Sequence, residues 1–187
     1  MGPLLQLLER KAGTPQRARE ALAGVAERLG TPGDGSTDEV MAGLALCARG
    51  EPPESVSKHL NWKDFEKFCS MVLRAKGYRV RENLHLRRPR AQIDILGVSA
   101  RICLAVDCKH WQRTPGRATL ASLVAAQRAR AERLHDTLEP IGPIATVILV
   151  LTDPGERFVE GGAVVPVSAL GDFLDTVESH REMLDLV

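Results

Sequence analysis

The chain has 187 residues, enough for one sizeable core or for one domain with a small appendage. Its 44% hydrophobic and 26% charged residues are those of an ordinary soluble globular protein. Net charge is +1, but residues 74–117 hold eleven Lys and Arg against three acids, Glu82, Asp94 and Asp107, so that stretch alone is +8. A basic stretch of this kind suits a polyanion such as DNA. Cys47, Cys69, Cys103 and Cys108 form no C-x-x-C pair, which argues against structural zinc and fits free thiols in a reducing compartment. No apolar run approaches a membrane span, and Met1 to Leu8 is too short for a signal segment. The expected location is cytoplasmic, with no membrane partner.

The first third reads as helical. Leu4, Leu5, Leu7 and Leu8 give one short helix, and Pro15–Leu29 a second, with Leu22, Val25 and Leu29 at helical spacing. Residues 31–37 are loop-forming, and Thr37 is a suitable N-cap for a third helix ending near Arg49-Gly50. Glu51-Pro-Pro-Glu breaks the pattern, so the expected division is a helical segment over 1–57 and an α/β domain over 58–187. The segment could read DNA, pack on the core, or serve as a dimerisation arm that makes the protein a homodimer. Residues 1–58 carry seven basic and eight acidic side chains, which favours packing over independent DNA binding.

Asn61 is an N-cap with Asp64 three residues on, and the helix it opens runs from Trp62 to about Lys76, stopping at Gly77. Its apolar stripe is Trp62, Phe65, Cys69, Val72 and Leu73, and Glu66 falls within it. An acid there needs a partner, a metal or a route to solvent. Tyr78 to Leu86 alternates as a strand, with Tyr78, Val80, Glu82, Leu84 and Leu86 on one face. Arg87-Arg88-Pro89-Arg90 follows, either as a solvated turn or as a set of phosphate contacts.

Residues 91–111 read as two strands joined by a turn at Gly97 to Ala100. Period-2 alternation puts Asp94 with Leu96 on one face and Ile93 with Ile95 on the other. In the second strand Asp107 and Lys109 share a face with Ala105, while Leu104, Val106 and Cys108 look the opposite way. If the strands pair, Asp94 and Asp107 converge beside the Lys109 ammonium. Two carboxylates and a lysine at one point are suited to a hard divalent cation and an attacking water.

His110 points off that face. Trp111 covers the core or stacks a base, the former being expected, and Arg113 lies in a loop at the rim. Ala118–Leu134 is a helix with a stripe of Leu120, Leu123, Val124, Ala131 and Leu134. Gln127 lies on the same face, while Arg128, Arg130 and Arg133 fall on or near the other. Ala145–Thr152 is a buried central strand, parallel to the Asp107 strand across the helix. Ala163–Val167 is a short strand that Pro166 places at an edge, and a closing helix runs from Asp172 to about Leu184. The fold class is an α/β sandwich with a mixed sheet.

Ile93-Asp94 and Asp107-Cys108-Lys109, on a hairpin preceded by a helix bearing Glu66, resemble the motifs of the PD-(D/E)xK nuclease superfamily. Ile93 stands where that family usually has proline. The nearest likeness is to Mrr-type restriction endonucleases and archaeal junction-resolving enzymes, over roughly residues 60–175. The resemblance implies a restriction-endonuclease-like core and a metal-dependent DNA endonuclease using Mg²⁺, or Mn²⁺ in its place. It implies metal ligation by Asp94, Asp107 and the Cys108 carbonyl, with Glu66 bound directly or through water. It gives Lys109 a role at the attacking water and places Gln127 near the site, a satisfied core amide being the equal alternative, and the basic side chains Arg87, Arg88, Arg90 and Arg113 are the ones expected to hold DNA. Two other readings stand beside it. One is a catalytically inactive module of the same fold that binds DNA or scaffolds. The other is a surface coincidence of D-x-K in a small α/β protein that binds a nucleotide or another protein, which the absence of a Gly-rich phosphate loop weakens. Restriction, repair and junction resolution are not separated by these residues.

Overall fold

The structure, a computed structural model, describes residues 2–29, 38–87, 90–137 and 142–187. The expected Thr37 cap and the Arg88 contact therefore lie outside the described residues. Three helices, α1 (Pro3–Ala12), α2 (Pro15–Leu29) and α3 (Asp38–Ala48), lead to a short α4 (Pro53–Ser57). The Pro-Pro break thus opens a turn of helix, because proline is tolerated in a helix's first turn. Next come α5 (Trp62–Ala75), strands β1 (Arg79–Leu86), β2 (Ala91–Val98) and β3 (Cys103–Lys109), and α6 (Arg117–Thr137). The chain closes with β4 (Ile144–Val150), β5 (Phe158–Val159), β6 (Gly162–Pro166) and α7 (Leu170–Thr176), the last flanked by 3₁₀ turns at Val167–Ala169 and Val177–Met183.

The strands form one mixed sheet in the order β1-β2-β3-β4-β6-β5. The first three are antiparallel neighbours, and β3, β4 and β6 run parallel. One face packs Ile95, Leu104, Val106, Val147 and Val165 against α5 and, through it, against Leu4, Leu8, Val40 and Leu46 of the N-terminal helices. The other face packs Cys103, Ala105, Ile148 and Val164 under α6 through Val124, Ala131 and Leu134. Helices cover both faces, as the near-continuous apolar runs of β3 and β4 require. The apolar sides of α1–α3 are spent inside this chain's own core, which gives the homodimer reading no support. Glu39 joins the segment's ends by accepting the Leu4 and Leu5 N–H groups at the start of α1, at 2.8 and 3.1 Å. Among the described residues no helix is long and apolar enough to cross a membrane.

Four strand readings are corrected. Asn83 takes a left-handed backbone (φ 50°) within β1, so the facing changes there without a slip of register, Glu82 still opposing Ile95 and Leu84 opposing Ile93. Tyr78 and Val80 accordingly pack on the α5 side, while Leu84 and Leu86 pack on the α6 side. Ile93 and Ile95 likewise part, Ile93 joining Leu96 rather than Ile95. Gly97 belongs to β2 and not to the turn, pairing with both Val80 and Leu104. A Cβ there would come within 2.7 Å of Leu73 Cδ2, so glycine lets α5 close on the sheet. The turn is 99–102, tied by Ser99 Oγ–H to the Ile102 carbonyl at 2.8 Å. Finally, β6 is not the edge strand. The unforeseen β5 covers it, but only opposite Gly162 and Ala163, so Pro166 lies beyond that cover.

Candidate active site

Helix α5 is positioned as the sequence dictates. Asn61 Oδ1 accepts the Asp64 N–H at 3.0 Å, Asn61 Nδ2 donates to Asp64 Oδ2 at 2.6 Å, and Gly77 follows the last turn with φ 85°. Its buried side is Phe65, Phe68, Cys69, Met71 and Leu73. Trp62 is not part of it, being 57% exposed at the first position of the helix. Glu66, half-buried, lies at the margin of the stripe.

The hairpin makes a fork. The β2–β3 ladder runs from Val98–Cys103 to Ile95–Val106 and stops. Beyond it β2 continues with β1, and β3 continues with β4 as far as Lys109–Val150. Asp94 and Asp107 are the next residues on the two prongs. Asp94 Oδ2 accepts the Cys108 N–H at 2.9 Å, so the first carboxylate is fastened to the backbone of the Asp-x-Lys strand itself. Lys109 turns its carbonyl to the β4 side, where the Leu151 N–H donates at 3.3 Å. Pleat alternation therefore turns the Cys108 carbonyl, like its N–H, to the side of Asp94.

Asp107 is buried and lies on the α6 face, as its alternation with Ala105 predicts. Lys109 Nζ touches Asp107 Oδ2 at 2.6 Å, and Arg130 Nη1 donates to Asp107 Oδ1 at 3.1 Å. Arg130 also donates to Gln127 Oε1 at 2.9 Å. Gln127 is completely buried, and its Nε2 has no hydrogen-bond partner among the described residues. Sequence reasoning placed Arg130 away from the site, and the structure corrects this. Arg130 is three residues after Gln127 and four before Leu134, which puts it at the border of the buried stripe, and its long stem reaches inward.

Electrostatics tie the carboxylates together. Glu66 is pushed up to about 7, first by burial and then by Asp94 and Asp107, with Lys109 opposing. Asp94 is raised by burial and by Asp107, although the Cys108 N–H works the other way. Glu82, the misfit acid of β1, is half-buried against α5. Burial would raise it, but hydrogen bonds from Ser70, Lys67 (2.9 Å) and Arg74 (2.8 Å) bring it below the usual range. It fastens β1 to α5 and is not one of the groups gathered at the fork.

The remaining expectations distribute plainly. His110 packs its ring on Phe65, with centroids 5.0 Å apart, and sets Nε2 at 2.8 Å from the Ser57 carbonyl, so that nitrogen must carry the proton. It faces α5, off the Asp107 face as expected. Trp111 is 41% exposed and does not cover the core. Arg113 is exposed in its loop, and Arg87 and Arg90 are exposed at the tip of the β1–β2 arm, where they help line an open groove of about 700 Å³. Arg90 is four residues from Asp94, about 13 Å along a strand.

All the oxygen donors suit a hard cation. Among the described residues, however, no three His, Cys, Asp or Glu side chains are grouped closely enough to hold one. The donor set fits a divalent metal in kind, and an ion at Asp107 would meet the cationic side chains of Lys109 and Arg130 there.

A mixed sheet sandwiched between helices, with an aspartate and an Asp-x-Lys at the fork of a hairpin, defines the restriction-endonuclease-like class of α/β proteins. Residues 57–134 match the model of a family described as restriction endonuclease, that of the Mrr catalytic domain. The resemblance to Mrr-type nucleases of the PD-(D/E)xK superfamily is thereby shown over that segment, and at family level the activity is that of a DNA endonuclease. No curated protein and no solved structure matches the chain.

Proposed function

We propose that this protein is a divalent-metal-dependent DNA endonuclease that hydrolyses phosphodiester bonds in restriction, repair or recombination. Mg²⁺ is the expected metal, Mn²⁺ its substitute, and a reducing cytoplasm its setting. The observation that carries the reading is the fork, where Asp94 is bonded to the backbone of the strand that presents Asp107 and Lys109. Asp94, Asp107 and the Cys108 carbonyl would hold the ion, with Glu66 bound directly or through water. Bound there, the metal would supply a more acidic water and positive charge against the attacked phosphate. Lys109 would orient that water and stabilise the negative charge that develops. Gln127 would hold its position through its amide oxygen, while Arg87, Arg90 and Arg113, with Arg88, would fix the DNA by its phosphates.

The test is nicking of supercoiled plasmid in Mg²⁺ or Mn²⁺. Asp107→Asn and Lys109→Ala should each lower the rate by about 10²–10³-fold or more and leave DNA binding largely intact. Full activity in purified Asp107→Asn protein would remove the assignment. One observation favours a second reading, that of a non-catalytic DNA-binding module: both Asp107 oxygens are already taken by cations. Binding of DNA without nicking in any divalent metal would select it.

A further inference from the structure

We infer that Arg130 is a built-in competitor for the metal, occupying the Asp107 oxygen that the ion needs and giving it up to a DNA phosphate; this rests on the metal-dependent reading above. The Arg130 guanidinium holds Asp107 Oδ1 at 3.1 Å while Lys109 holds Oδ2 at 2.6 Å, so an approaching ion meets a cation already bonded to each oxygen. A guanidinium does not shed its proton at any ordinary pH, so the oxygen is freed only by moving the side chain. The side chain is able to move, being about one-third exposed where Asp107 is almost fully buried. Asp94 and Asp107 lie near enough to Glu66 to raise it, yet among the described residues the three form no cluster that could hold a metal. Arg130 also holds the Gln127 oxygen, while the buried Nε2 of that amide has no partner among the described residues. Such a fully buried orphan donor is costly in a finished site. A phosphate offers two acceptors in the geometry a guanidinium prefers. DNA would therefore draw Arg130 off Asp107 and favour metal loading, and an unliganded protein would take up metal weakly.

The experiment is Mn²⁺ binding, by calorimetry or electron paramagnetic resonance, to DNA-free wild type, Arg130→Gln, Arg130→Lys and Asp107→Asn, each checked for an unchanged fold by circular dichroism. Arg130→Gln should bind Mn²⁺ at least about tenfold more tightly than wild type, the order of effect an adjacent opposite charge has on a carboxylate. Arg130→Lys, which keeps the charge without the fork, should fall between them, and Asp107→Asn should lose binding. A short duplex should tighten Mn²⁺ binding to wild type far more than to Arg130→Gln. A residue that only braces the helix would weaken metal binding when replaced, so tightening distinguishes the two roles. If Asp107→Asn weakens Mn²⁺ binding but Arg130→Gln binds no tighter than wild type, the inference is overturned and the metal reading stands. If wild type, Arg130→Gln and Asp107→Asn all fail to bind Mn²⁺ with or without DNA, both fall.

Discussion

Glu66 illustrates how much a single side chain depends on neighbours distant in sequence. Its place on α5 is set by helical spacing, but its affinity for a proton is set by burial and by two aspartates from the hairpin. The folded value of about 7 lies above the ordinary 4.5, so the sign of the effect is fixed. Below the ordinary value both states are protonated and nothing is lost. As pH rises towards 7 the unfolded chain ionises first, and folding becomes less favourable. In metal-free buffer wild type should therefore lose stability between about pH 5 and pH 8, by about 1 kcal/mol once the half-exposed carboxyl is discounted for screening. Glu66→Gln should remove most of that slope in urea denaturation series across pH. Parallel pH profiles for the two proteins would show that Glu66 is more open to water than its setting implies. Asp94, raised for the same reasons, contributes with the same sign.

At the scale of elements, the sequence was most legible where one local rule decided the outcome. The Asn61 cap and Gly77 stop delimit α5, and the apolar runs of β3 and β4 locate the two central strands. Alternation also put Asp107 and Lys109 on one face correctly. It failed on β1, where a single left-handed residue at Asn83 changes the facing and no periodicity announces it, and on β2, where Ile93 and Ile95 part. Arg130 was missed for a related reason: helical spacing puts it at the border of a stripe, and only the buried Asp107 opposite decides which way it turns. Glu82 looked like a flaw on an apolar face because its partners, Lys67, Ser70 and Arg74, lie along one side of a different element. That pairing is the polar bolt between β1 and α5. Glu82→Ala should cost about 1–3 kcal/mol, since it leaves the buried Ser70 hydroxyl without its acceptor. Chemical denaturation measures this, and a loss below a few tenths of a kcal/mol would assign the pairing to the solvated surface.

Over the whole molecule, the basic excess of residues 74–117 is smaller in effect than in count. Arg74, Lys76, Arg101, Lys109 and Arg117 are taken up in ion pairs. Arg81, Arg87, Arg90 and Arg113 are exposed and make no ion pair among the described residues, so the DNA-facing charge should come mainly from the β1–β2 arm and the loop after β3. Replacing Arg87 and Arg90 by Ala should flatten the slope of log K against log salt by about 0.9 for each duplex phosphate that is no longer neutralised. Titration in Ca²⁺ over a salt series reads this directly, and the change should be alike on unrelated sequences because groups that grip phosphates position the DNA rather than specify it. An unchanged slope would move the binding face elsewhere.

The fastening of Asp94 to the Cys108 N–H has a further consequence. That amide is guarded by a side chain, whereas sheet amides are ordinarily guarded by a neighbouring strand's carbonyl. Whatever draws the Asp94 carboxylate away exposes the amide to deuterium while the surrounding strand stays shut. Hydrogen exchange at Cys108 is thus a spectator of the fork, able to register whether its first carboxylate is at rest or in use without any turnover taking place.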